Sequence, residues 1–274
     1  MFLKGINEST LFPIDTIKVV EIAGKVGFNG IEFRIPKIEE LIKENKIKLL
    51  IETLNSYKVK AISLNSIVDF NLIPSEKFGE ILRKTIFLSK VCSELNCNML
   101  IVCPSFISNI KSYEKNYIFK KTANRLELLA KLVREWNINI GFEFLGYSAC
   151  SVNKLSDAYS ILEKISDIEN VKLVVDTYNF YLSNEPLEVF EKIPIKMISL
   201  IHINDAPEIP REKLTDDDRI FPSEGVIQLK KILNILKERG YQGYVSIEVF
   251  NENYWKEDPQ FIAEKAIRSL ESLL

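Results

Sequence analysis

Leu200-Ile201-His202-Ile203-Asn204-Asp205 carries the only histidine in a chain of 274 residues, at the end of a β-branched apolar run. A short apolar run of this kind reads as a strand leaving a hydrophobic core. His202 is therefore expected at the carboxyl end of a strand, where the ordinary role for an imidazole is a satisfied hydrogen bond. Three other apolar runs close on carboxylates. They are NIGFEF at 139–144 with Glu143, VKLVVD at 171–176 with Asp176, and YVSIEV at 244–249 with Glu248. His202 falls in sequence between the last two.

Outward from that stretch the same rhythm extends to both ends. Strands are expected over 3–7, 30–34, 59–65, 98–104, 139–144, 171–176, 198–204 and 244–249. Between them lie helical patterns over 14–26 with a glycine stop at Gly27, from 35 to about 57, and over 78–95 and 118–136. The helical pattern continues over 155–165, around 186–191, over 227–239 and over 259–274. Eight strands alternating with eight helices predict an α/β fold, the (β/α)8 TIM barrel, as a single domain over 1–274. Strands that are apolar almost throughout suit a parallel sheet covered on both faces. A doubly wound open sheet is the alternative. It usually carries a Gly-rich phosphate turn after its first strand, and GINEST at 5–10 is no such turn. One long polar connection, about 205–225, follows the seventh strand, and a loop of that length in a compact domain is usually functional.

Composition narrows the partners. Apolar residues make up 46% of the chain, enough for a large core, and the net charge is −2 with Lys and Arg scattered along the sequence. Neither a nucleic-acid face nor a membrane-surface face is expected from that pattern. The first seven residues lack the layout of a signal peptide, and no apolar run approaches a membrane span. The four cysteines, Cys92, Cys97, Cys103 and Cys150, form no CxxC pair and fit small core residues of a reduced cytoplasm. A small molecule is the expected partner, in the cytoplasm, and homo-oligomerisation is left open.

In a barrel of this class the active site lies at the carboxyl ends of the strands. Strands five to eight there offer Glu143, Asp176, His202 and Glu248 in series. Adjacent strands lie roughly 5 Å apart, so the four side chains could converge on one point. Each carboxylate alone reads as a salt bridge or helix cap. Three together would repel unless protonated or bridged by a cation. Three carboxylates and an imidazole suit one divalent metal ion, Mn²⁺, Zn²⁺, Co²⁺ or Mg²⁺, with room for water or substrate.

These residues resemble the xylose-isomerase-like barrels, a family of sugar and sugar-phosphate isomerases, epimerases and related endonucleases. The chain is most like the inosose isomerases of myo-inositol catabolism. The likeness runs nearly end to end, through INEST, GIEFR, LNSIVDFN, FEFLGYSACSVN, LVVDTYNFY, LIHIND, LTDDDRIFPSEGVI and VSIEVFNENYW. It implies that Glu143, Asp176, His202 and Glu248 ligate one divalent metal, that Glu143 and Glu248 double as an acid/base pair, and that Arg219 reaches substrate. One departure stands out. Relatives place a histidine three residues after the aspartate, whereas this chain has Asn179 there, and Tyr181 where inosose isomerases have a second histidine.

The activity so implied is a metal-dependent isomerase or epimerase acting on a sugar or cyclic polyol ketone through an enediolate, with one glutamate removing a proton and the other returning it. Asn7, Asn65 and Asn179 are expected to read hydroxyls, or to serve as strand-end asparagines bonded to backbone. Trp255 and Tyr254 either stack on the substrate ring or cover the mouth. Arg219 either grips substrate oxygens or lies exposed beside Asp216, Asp217 and Asp218. Arg34 is expected to pair with Glu32 or Glu8. A dehydratase on the same scaffold and a sugar- or metal-binding barrel without turnover are the alternatives. The endonuclease branch relies on many histidines, and one histidine does not furnish them.

Overall fold

The structure is a computed structural model and describes residues 2–107 and 113–274. Its eight strands form a closed barrel in the order β1-β2-β3-β4-β5-β6-β7-β8, with ten α-helices among the described residues. The expected (β/α)8 architecture is what the chain adopts. Its contacts gather into two compact units, Met1–Ser63 with Leu200–Leu274, and Leu64–Ser199. Both boundaries fall inside a continuous strand.

The first unit holds β1 (Leu3–Asn7), α1 (Thr16–Val26), β2 (Gly30–Arg34), α2 (Ile35–Lys43), α3 (Ile47–Tyr57) and the start of β3 (Lys60–Ile67). It also holds most of β7 (Ile198–Ile203), then α9 (Leu229–Glu238), β8 (Tyr244–Ile247) and α10 (Pro259–Glu271). β1 pairs in parallel with both β2 and β8, and β7 pairs with β8 in a register that sets His202 opposite Ser246. The helix ends follow local chemistry. Asp15 accepts from the Ile17 and Lys18 N–H groups to start α1, a cap worth about 1 kcal/mol. Gly27, at φ 102°, ends it in a left-handed turn that favours glycine. The single helical pattern expected up to 57 is two helices, because Asn45 adopts a left-handed φ of 55° between them, as asparagine tolerates.

The second unit holds the end of β3, α4 (Ser75–Glu94), β4 (Met99–Val102), α5 (Lys115–Val133), β5 (Asn139–Glu143) and α6 (Leu155–Glu163). β6 (Val171–Asp176), α7 (Thr177–Ser183) and α8 (Val189–Lys192) follow. β4, β5 and β6 pair in parallel, and β3 joins β4 at Leu64 and Ile67. A helix around 186–191 was expected. It is present as α8, and a further helix, α7, begins at once after β6, where the Asp176 carboxylate accepts from the Asn179 N–H and caps its first turn. All four cysteines are buried, and none is in a disulfide. Among the described residues no helix is long and apolar enough to cross a membrane.

Candidate functional site

Glu248 lies one residue past the end of β8 and is held from several sides. Its Oε1 accepts from Asn7 Nδ2 at 2.8 Å, and its Oε2 accepts from Arg219 Nη1 at 3.2 Å. Its backbone carbonyl accepts from Asn204 Nδ2 at 3.0 Å. The other end of the Asn7 side chain accepts from Ser9 N–H, so this asparagine is committed at both of its polar atoms. Arg219 is 2% exposed. It pairs with Asp216, the first of the three aspartates, at 2.9 Å, packs over the Phe250 ring, and has its carbonyl held by Asn251 Nδ2. Of the two expected placements for Arg219, the exposed one is corrected: a buried guanidinium needs partners, and Glu248 and Asp216 provide them.

His202 is fully buried on β7. Its Nδ1 is 3.2 Å from Glu248 Oε2, and its Nε2 is 3.0 Å from Glu32 Oε2. Glu32 is itself fully buried and also accepts from Ser63 Oγ at 2.7 Å. Burial alone would push this carboxyl up. The charge that His202 carries when protonated, with the hydrogen bonds of His202 and Ser63, outweighs that and holds it below the usual carboxylate range. The expected Arg34 pairing takes another form. Arg34 gives its backbone N–H, at 2.9 Å, to Glu8 Oε2, while its guanidinium lies over the Phe12 ring.

Glu143 ends β5 and Asp176 ends β6, both buried. Cys103 Sγ lies 3.6 Å from Glu143 Oε2. Asn179 Oδ1 accepts from Gly146 N–H at 3.0 Å, and its Nδ2 is buried with no hydrogen-bond partner among the described residues. Asn65 is half-buried on β3. Trp255 donates its indole N–H to the Ser9 carbonyl at 2.9 Å and packs on Phe12, while Tyr254 stacks on Phe221. Glu143, Asp176, His202 and Glu248 each present one potential ligand atom, and these atoms all lie within 4.8 Å of one another.

With that geometry in view, the sequence matches the xylose isomerase-like TIM barrel family over residues 20–273. The chain belongs to that family. The inosose isomerase of Halalkalibacterium halodurans is 30% identical over 262 residues, covering 95% of this chain and 90% of its own. The inosose isomerase of Bacillus velezensis is 30% identical over 265 residues, covering 96% of this chain and 92% of its own. The 1.8 Å crystal structure of the IolI protein with a binding zinc atom superposes with a TM-score of 0.94 at 28% identity, covering 100% of this chain and 98% of that one.

The sequence offered Glu32 only as a partner for Arg34, and its place beside His202 in this xylose isomerase-like barrel went unread. Its signal was present: GIEFR places a carboxylate in the middle of an otherwise apolar strand, and such a group requires a buried partner.

Proposed function

We propose that the chain, acting as a single domain over 1–274, is a divalent-metal-dependent isomerase or epimerase of a sugar or cyclic polyol ketone of the inosose kind. The observation that carries this reading is the gathering of three carboxylates and one imidazole within 4.8 Å, all buried. Like charges so placed call for a cation. The 3.2 Å between His202 Nδ1 and Glu248 Oε2 leaves both atoms near enough to share one ion. The donor set, rich in oxygen with one nitrogen, fits Zn²⁺, Mn²⁺, Co²⁺ or Mg²⁺. The likeness to inosose isomerases over nearly the whole chain supports the choice of substrate class.

Glu143, Asp176, His202 and Glu248 would hold the ion, whose bound charge would polarise the substrate carbonyl and acidify the adjacent C–H. One of Glu143 and Glu248 takes that proton as the electron pair moves toward the carbonyl oxygen. The other delivers a proton to the neighbouring carbon or to the opposite face. Asn7 and Arg219 steady Glu248 for this work, and Arg219 also offers charge-assisted donors to substrate oxygens. Asn65, Asn179 and Trp255 complete the proposed contact set. Four cysteines outside any disulfide agree with work in the reducing cytoplasm.

The test is exchange of substrate C–H for deuterium in D₂O, across inososes and ketoses, with each divalent ion in turn. Exchange with at least one of them is expected, and Glu143→Gln should lose at least about 10²-fold in rate. Chelation should abolish turnover, and full activity of metal-free protein would overturn the reading. Loss of water from the product, seen by mass spectrometry, would assign a dehydratase instead. Metal binding without any exchange would leave a binding barrel.

A further inference from the structure

We propose that Glu32 is the positioning residue of this cluster, fixing His202 as the tautomer protonated on Nε2 so that the unprotonated Nδ1 faces Glu248 and the cation site. The inference rests on the metal-binding reading above and adds a residue to it.

Glu32 stands mid-strand on β2, at 0% exposure, with an isoleucine before it and a phenylalanine after it. Placing a carboxylate there costs several kcal/mol unless charge and hydrogen bonds compensate. Among the described residues no lysine or arginine side chain pairs with it. Its Oε2 has two partners, the Ser63 hydroxyl at 2.7 Å and His202 Nε2 at 3.0 Å. An ionised carboxylate only accepts hydrogen bonds, and an imidazole that gives one nitrogen to a cation keeps a single N–H on the other. The proton therefore belongs on Nε2. The opposite tautomer would set an imidazole lone pair against a buried carboxylate oxygen at 3.0 Å, two acceptors with nothing between them. With Nε2 so engaged, Nδ1 points its lone pair toward Glu248 Oε2, 3.2 Å away. That too is a pair of acceptors, and a cation shared by both resolves it. A ring held at its far nitrogen by a carboxylate is oriented and made more basic toward a metal, an arrangement whose loss typically weakens affinity about 10- to 100-fold.

The chain's single histidine makes the test direct. In ¹⁵N-labelled, zinc-loaded protein there is one imidazole to observe, and its two ring nitrogens should show the proton on Nε2 and the metal on Nδ1. Zinc affinity, read by competition with a chelating dye, should fall about 10- to 100-fold in Glu32→Gln, with the circular dichroism spectrum unchanged. Ser63→Ala removes a hydrogen bond to Glu32 and none to a proposed ligand, and should weaken zinc binding in the same direction by less. It keeps the question open to measurement should Glu32→Gln fail to fold. A proton on Nδ1, or variants that bind zinc as tightly as wild type, would overturn the role of Glu32 and leave the metal site standing. Wild-type protein that binds no divalent ion at all would overturn both.

Discussion

Glu8 is buried at the end of β1, where its carboxylate accepts from the Thr16 hydroxyl and from the Arg34 backbone N–H. Burial raises its pKa above the ordinary 4.5, and the hydrogen bonds and the charges of Lys37 and Arg34 only partly offset this. The folded protein thus keeps a proton that the unfolded chain has already lost. Stability from this group is full below 4.5 and is lost as pH rises through the folded value. Urea unfolding of wild type and Glu8→Gln at a series of pH values should show the variant gaining on wild type across that window, then running parallel. A gap that never changes with pH would contradict this. Arg219 and Glu32 mark the limit of what a linear sequence tells about single residues. Three neighbouring aspartates made an exposed arginine as reasonable as a buried one. The His202 partner of Glu32 is 170 positions away, a distance no local pattern spans.

At the scale of elements, the excursion after β7 depends on one carboxylate. Asp205 Oδ1 accepts from Ala206 and Ile227 N–H at 2.9 Å each, and its Oδ2 accepts from Gly225 N–H at 3.0 Å. A two-way backbone bridge between Asp205 and Ile220 adds a second clasp. Gly225 has no substitute here, since a Cβ would stand 2.1 Å from the Ala206 carbonyl oxygen. The segment that carries Arg219 to Glu248 is thereby tied at both ends. Asp205→Asn turns one acceptor toward Gly225 into a donor and should cost about 1–3 kcal/mol. Urea unfolding would read that loss, and limited proteolysis within 206–224 should speed up. The length and polarity of this connection were legible in the sequence, but its clasp was not, because backbone N–H groups look alike in every residue. α7 escaped notice for a related reason. Thr-Tyr-Asn-Phe-Tyr favours strands by propensity, and the Asp176 cap that starts the helix is also a candidate ligand.

For the whole molecule, alternation of apolar strands with amphipathic helices sufficed to read the barrel, because each strand is buried on both faces and each helix on one. The four residues of the proposed cluster could be named from the sequence because barrel geometry sends every strand's carboxyl end to the same face. An ion that binds these groups only when the chain is folded must stabilise the fold by mass action. At free zinc about 100 times its Kd the gain should be about 2.7 kcal/mol, visible as a higher midpoint in thermal unfolding and reversed by chelator. A midpoint indifferent to both would speak against the site. Trp255, wedged on Phe12 with its indole N–H on the Ser9 carbonyl, has one further use. The only other tryptophan is Trp136, after α5. A Trp136→Phe protein would carry one fluorophore, close in sequence to Glu248, and its emission would report events there without any added dye.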